Sequence, residues 1–267
     1  MGPYLRLVRV GNVATSGVGT AVAALAVLGN GLSTGCVTAG GNVLNDRGDQ
    51  ASDRRNHPDR PLVTGSISER SARRLAIGLF VVGAALIVPL LGSVPTLGLV
   101  FVSALAALFA YEFRFKREGL SGNLLVGYLT AAVFLYGGAA VGSVLLSTPF
   151  AVMAFGATLS REVIKDMEDA EGDIDRRTLP RVRGMGVSSA AARGAVAIAI
   201  VLSPVPLLSF LPISGAAGIA YLAFVALADL VFIASVWWLP QRLHREQLLS
   251  KAAMSIALGA FLAATFR

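Results

Sequence analysis

Apolar residues fall in long unbroken blocks separated by short polar or charged stretches. The blocks run from Val8 to Gly29, Leu32 to Leu44, Leu75 to Leu91, Pro95 to Ala110, Leu120 to Leu146, Pro149 to Leu159, Ala190 to Leu211, Ile213 to Leu239 and Ala252 to Phe266. A helix needs roughly 20 residues to cross a bilayer, and these blocks lack the strict alternation of a membrane-spanning strand. The pattern predicts an all-α fold, a polytopic bundle of about nine transmembrane helices, as one intramembrane domain over residues 1–267.

Composition sharpens that picture. The 267 residues are 55% hydrophobic and 15% charged, with a mean hydropathy of +0.69, against about 25% charged in a soluble domain. A water-soluble enzyme is excluded, and so is low-complexity disorder, whose apolar residues would be thinned out among charges. The single cysteine, Cys36, excludes an intramolecular disulfide framework and a zinc site built on several thiolates.

The net charge of +7 comes from 23 basic residues, 20 of them arginine. Nearly all lie between the apolar blocks, so topology explains them without a nucleic-acid partner. Arg6, Arg9 and positions 46–74, 112–118, 161–183 and 242–251 hold almost every ionisable group, while the connections near Gly31, Ser93, Ser147 and Ser214 hold none. Nine spans with a cytoplasmic N-terminus put every charged loop inside, as the positive-inside rule requires of a multi-pass cell-membrane protein. No cleavage-site pattern follows Arg6 and Arg9, so the first span is expected to be retained. Only 38 residues run from Val8 to Asn45, slightly fewer than the roughly 40 that two crossings need. The second helix is therefore expected to be short, tilted or re-entrant.

Within the spans, Asp229 is expected to pair with an arginine or serve a polar cavity, the ion pair being favoured. Trp237 and Trp238 read as interface anchors. His57 and His244 have no partner histidines at ligand spacing and read as surface residues.

Two acidic segments carry the candidate chemistry. In the first, Asn45, Asp49 and Asp53 recur every four residues and share a face if the second helix continues past the membrane. Carboxylates at that spacing repel unless a cation sits between them, and hard oxygen ligands select Mg²⁺. In the second, Asp166, Asp169 and Asp173 sit at i, i+3 and i+7, with Arg161 and Lys165 about one turn nearer the membrane. Mg²⁺ usually keeps waters and substrate phosphates as ligands, so two such helix ends imply a diphosphate between them. A cation or lipid-phosphate transporter is the rival class, but its carboxylates would lie near the bilayer midplane.

These residues resemble the UbiA-type intramembrane prenyltransferases. Their first aspartate-rich motif, Asn-x-x-x-Asp-x-x-x-Asp, matches Asn45, Asp49 and Asp53, and their second matches Asp169 and Asp173. Lys165 to Asp173, Thr178-Leu179-Pro180, Gly122 to Thr130 and Gly137 to Ala140 are most similar to the members that make archaeal ether lipids. The resemblance implies transfer of a geranylgeranyl group from its diphosphate to the free glycerol hydroxyl of geranylgeranylglyceryl phosphate. It also implies Mg²⁺ as cofactor and a cavity at the cytoplasmic side, open to membrane lipids. An aromatic acceptor, as in quinone or tetrapyrrole prenylation, is the alternative within the family.

On this reading Asp49, Asp53, Asp169 and Asp173 are the catalytic metal ligands, supported by Asp46 and Asp166. Asn45, Tyr111, Lys116, Arg161 and Lys165 are expected at the donor diphosphate, and Arg54, Arg55 and Arg60 at the acceptor's phosphate. Tyr111, Tyr128 or Phe134 would offer an aromatic face to a carbocation. Neutralising charge on the leaving group is then the main source of catalysis.

Overall fold

The computed structural model describes residues 2, 4, 28–91, 94–172, 176–209 and 215–263. Most of the first predicted span, from Val8 to Val27, lies outside them, as do Asp173 and the connections at Ser93 and Ser214. The described chain is helical: α1 (Leu28–Gly48), α2 (Gln50–Asn56), α3 (Glu69–Leu91), α4 (Pro95–Ala110), a π-helical turn (Tyr111–Phe115), α5 (Gly119–Ala140), α6 (Val144–Glu168), α7 (Leu179–Leu202), α8 (Val205–Ser209), α9 (Ala216–Trp237) and α10 (Leu243–Ala263). Among the described residues, six helices are long and apolar enough to cross a membrane. The molecule is a multi-pass membrane protein.

Two boundaries differ from the apolar pattern. The segment expected to be short, tilted or re-entrant is the unbroken 21-residue helix α1, about 31 Å long at 1.5 Å per residue, and it is not among the six helices apolar enough to cross. It runs through Gly31 and past its last apolar residue into the charged segment, so the apolar count understated its length. The turn expected near Ser147 lies earlier, at Val141–Ser143, where Gly142 adopts φ +70° and ends α5. Ser147 and Thr148 lie inside α6, each hydroxyl donating to the carbonyl of Val144 at 2.9 Å.

Neighbouring helices pack as antiparallel pairs: α1 against α3, α5 against α6, α6 against α7 and α9 against α10, with α10 also touching α6. Gly156 permits the α6–α7 approach, because a Cβ there would stand 2.5 Å from the Ala195 carbonyl oxygen. One core cluster gathers Phe134, Phe150, Tyr221 and Phe261, and a second gathers Val163, Ile164, Met167, Phe232 and Val236. Arg193 caps the end of α9 by donating to Val236 O at 3.2 Å and Leu239 O at 2.9 Å. The charged helix ends thereby gather at one end of the bundle. Asp229 does not form the favoured ion pair among the described residues and takes the alternative role, lining an internal cavity. It accepts a 2.7 Å hydrogen bond from the Ser203 hydroxyl at the end of α7.

Candidate active site

Both acidic segments open onto one cavity of about 680 Å³ that reaches from the charged end into the bundle. The register of the first segment survives the break between α1 and α2. Asp49 N donates to Asn45 O at 3.0 Å and Asp53 N to Asp49 O at 2.8 Å, so Asn45, Asp49 and Asp53 all face the cavity. From α6, Arg161, Glu162, Lys165 and Asp169 face the same space, and Tyr111 joins them from the π turn. Arg161, Lys165 and Asp169 are spaced i, i+4, i+8, which keeps them on one strip of the helix.

Basic side chains already bind these carboxylates. Asp49 Oδ1 lies 3.0 Å from Lys116 Nζ and 3.0 Å from an Arg176 guanidinium nitrogen. Arg60 bridges Asp53 at 2.5 Å and Asp46 at 3.2 Å. Burial raises the Asp53 carboxyl above its ordinary range, against the opposing pull of Arg60. Lys116 also donates to Asn45 O and to both Glu112 carboxylate oxygens, each at 3.1 Å. With its amide oriented by these neighbours, Asn45 donates to Asp49 Oδ2 and accepts from Lys116, both at 3.2 Å. On the α6 side, Glu162 pairs with Arg161 at 2.5 Å and lies 4.0 Å from Lys165.

Several sequence assignments change. Asp46 and Asp166 are not in the cavity wall. Asp46 is buried against Arg60, and buried Asp166 accepts a 2.8 Å hydrogen bond from Asn123 on α5. Both therefore turn into the protein rather than toward a cavity metal. Lys116 stands behind Asp49 instead of lining the cavity, so it supports the wall. Arg54 and Arg55 are exposed on α2, outside the wall, and Arg60 lines it with its guanidinium committed to Asp46 and Asp53. Arg176, Glu162, Glu112 and Lys251 belong to the site or its support and were not singled out by motif. Arg176 and Lys251 come from outside the acidic helices, and the π turn that delivers Glu112 breaks the helical period.

At this end the wall presents the carboxylates of Asp49, Asp53 and Asp169 and the Asn45 amide, hard oxygen donors that suit Mg²⁺. Among the described residues no three His, Cys, Asp or Glu side chains converge as a metal site. The chain therefore offers an open set to be completed by waters and phosphate oxygens, the usual coordination for this ion. Asn45, Asp49, Asp53 and Asp169 are the residues that would hold it. Deeper in, the cavity is lined by apolar and aromatic side chains, including Phe101, Phe134, Met153, Phe232 and Phe261.

The pattern of the UbiA prenyltransferase family matches residues 10–263. A protein of Haloquadratum walsbyi named digeranylgeranylglyceryl phosphate synthase is 37% identical over 274 residues, covering 96% of this chain and 91% of the relative. A solved structure described as giving structural and mechanistic insights into the biosynthesis of digeranylgeranylglyceryl phosphate synthase in membranes is 30% identical. It aligns with a TM-score of 0.76 over 98% of this chain and 97% of its own. A UbiA homolog from Archaeoglobus fulgidus, bound to DMAPP and Mg²⁺, shares the fold with a TM-score of 0.70 at 17% identity, over 97% of this chain and 99% of its own.

Proposed function

Because this chain belongs to the UbiA prenyltransferase family, we propose that it transfers a geranylgeranyl group from geranylgeranyl diphosphate to the free hydroxyl of geranylgeranylglyceryl phosphate. The products are digeranylgeranylglyceryl phosphate and diphosphate. The relatives named for this activity and the 30% identical structure support that substrate pair. The observation that carries the reading is the convergence of Asp49, Asp53 and Asp169 from separate helices on one cavity whose depth is mostly apolar and aromatic, with the hydrogen-bonded pair Ser203–Asp229 in its wall.

In the reaction the allylic carbon–oxygen bond breaks, its electron pair leaves with the diphosphate, and the acceptor hydroxyl oxygen forms the new ether bond. The hydroxyl proton leaves with the diphosphate. When bound at Asn45, Asp49, Asp53, Asp169 and Asp173, Mg²⁺ supplies positive charge for the leaving oxygens. Arg161 and Arg176 stand in the same wall, and their guanidinium forks can hold the diphosphate bidentately. Lys116 keeps Asp49 and Asn45 in place from behind. Tyr111 lies at the junction of the charged and apolar zones, where an aromatic face stabilises developing positive charge. The apolar depth holds the isoprenoid chain and excludes water. The charged end faces the cytoplasm in this reading, as positive-inside topology requires.

Purified protein assayed with geranylgeranyl diphosphate and geranylgeranylglyceryl phosphate tests the proposal. Product should form only with Mg²⁺, and Asp49→Asn or Asp169→Asn should each lower turnover by about 10² or more. Full activity in both variants, or turnover without a divalent cation, would overturn it.

A further inference from the structure

The proposed reaction binds two anionic groups, the donor's diphosphate and the acceptor's phosphate monoester, and the cations in the cavity wall are not equivalent. Arg60 is held by Asp46 and Asp53, and Arg176 by Asp49. Arg161 is held by Glu162. Two ammonium groups differ. Lys165 has Glu162 only at 4.0 Å, and its side chain is 41% exposed. Lys251, on α10, is exposed and lines the cavity, and among the described residues its ammonium has no carboxylate within ion-pair distance.

These two lysines approach the cavity from helices that pack on each other, α6 and α10. Lys251 senses Arg161 and Lys165 as like charges, countered by Glu168 and Glu162. Glu168 is itself engaged by His244 at 2.8 Å. Neither lysine is closely paired, the nearer carboxylate Glu162 being engaged by Arg161 and Glu168 by His244, so an anion bound between the two ammonium groups gains from both charges. The anion they suit is compact and multiply charged, because each ammonium acts as a point charge.

We propose that Lys165, which the sequence placed at the donor diphosphate, instead forms with Lys251 the subsite for the phosphate monoester of the lipid acceptor, on the α6–α10 wall of the cavity. Lys165 precedes Asp169 by one helical turn, about 6 Å. A phosphate bound there leaves only the short glycerol backbone to carry the free hydroxyl toward the donor's reacting carbon. The donor diphosphate keeps Arg161, Arg176 and the aspartates. Arg54 and Arg55, outside the wall, take no part.

This assignment rests on the geranylgeranyl-transfer reading, and the two fail differently. If the wild type makes no product from the two substrates, the reading fails. If it does, steady-state kinetics of Lys165→Gln, Lys251→Gln, the double variant and Lys251→Arg test the subsite. The glutamine variants should raise the acceptor KM about tenfold or more, with the donor KM within about twofold and Lys251→Arg close to wild type. With geranylgeranylglycerol, which lacks the phosphate, wild type and variants should perform alike. Inorganic phosphate should compete with the lipid acceptor in the wild type and only weakly in the double variant. An unchanged acceptor KM, a donor KM rising in step, or an equal loss with the phosphate-free acceptor would each overturn the assignment.

Discussion

Lys116 Nζ stands 3.0 Å from Asp49 Oδ1, yet only the aspartate faces the cavity. The lysine comes from just beyond the π turn, and the same ammonium holds both oxygens of Glu112 and the main chain of Asn45. It is therefore a strut that fixes the first aspartate motif against the end of α4. Side chains of Lys116 and Glu112 are each only 7% exposed, so the pair is screened little by solvent.

Removing one member leaves the other buried and uncompensated. Lys116→Met is expected to destabilise the protein by about 3–5 kcal/mol, because Glu112 and Asp49 then face each other without a shared counter-charge. The double variant Lys116→Met with Glu112→Gln should recover part of that loss. Denaturation of the two single variants and the double variant in the same detergent measures the coupling; simple additivity would show that Glu112 and Lys116 act independently.

A second consequence concerns Gly48, the last residue of α1. A Cβ there would overlap the Glu112 carboxylate oxygen and come within 3.3 Å of Lys116 Nζ. Both atoms end flexible side chains, so they can move aside, and alanine gains up to about 1 kcal/mol of helix propensity over glycine. Gly48→Ala should accordingly destabilise less than Lys116→Met, because both charges of the pair remain, while turnover falls about tenfold to hundredfold as the strut behind Asp49 is displaced. Unchanged turnover would show that Glu112 has no bearing on the site.

The parts of the site that were legible in sequence share one property: they follow a single helical register. Asn45, Asp49 and Asp53, and separately Arg161, Lys165 and Asp169, are four residues apart and arrive on one strip facing the cavity. Asp46 and Asp166 each precede a motif aspartate by three residues. That step rotates them about 60° off the strip at 3.6 residues per turn; Glu162, offset in the same way from Lys165, still reaches the cavity, so it is the partners Arg60 and Asn123 that hold Asp46 and Asp166 inside the protein. Glu112 was hidden by the π turn, and Arg176 by its place in the connection before α7, where no period applies. Among the described residues the long helices from α3 on were legible from the apolar blocks. The ends of α1 and α6 were not, because both continue as helix into charged sequence that an apolar count discards.

The contrast between Asp166 and Asp169 can be measured. Asp166→Asn keeps a hydrogen-bonding partner for Asn123 and removes nothing from the cavity wall, so turnover should stay within about tenfold of wild type. Asp169→Asn should lose about 10² or more. Asn123→Ala, by orphaning the Asp166 oxygen it now serves at 2.8 Å, should cost about 1–3 kcal/mol of stability. Equal losses of turnover in the two aspartate variants would return Asp166 to the catalytic set.

Glu246, near the start of α10, is 0% exposed, and neither carboxylate oxygen has a hydrogen-bond partner. Burial raises its carboxyl above the usual glutamate range, and the charges of Arg245 and Arg242 offset this only in part. At pH values between the ordinary range and the raised one, the folded chain holds a proton that the unfolded chain has released. Stability contributed by the protonated form is therefore present at acid pH and declines as pH rises through that window. Glu246→Gln, which cannot ionise, should flatten this decline, so that the variant gains stability relative to the wild type as pH rises through the window. Melting temperatures of wild type and variant in detergent from pH 4 to about pH 8 check both statements. Parallel curves for the two proteins would show that another group sets the acid side of the profile.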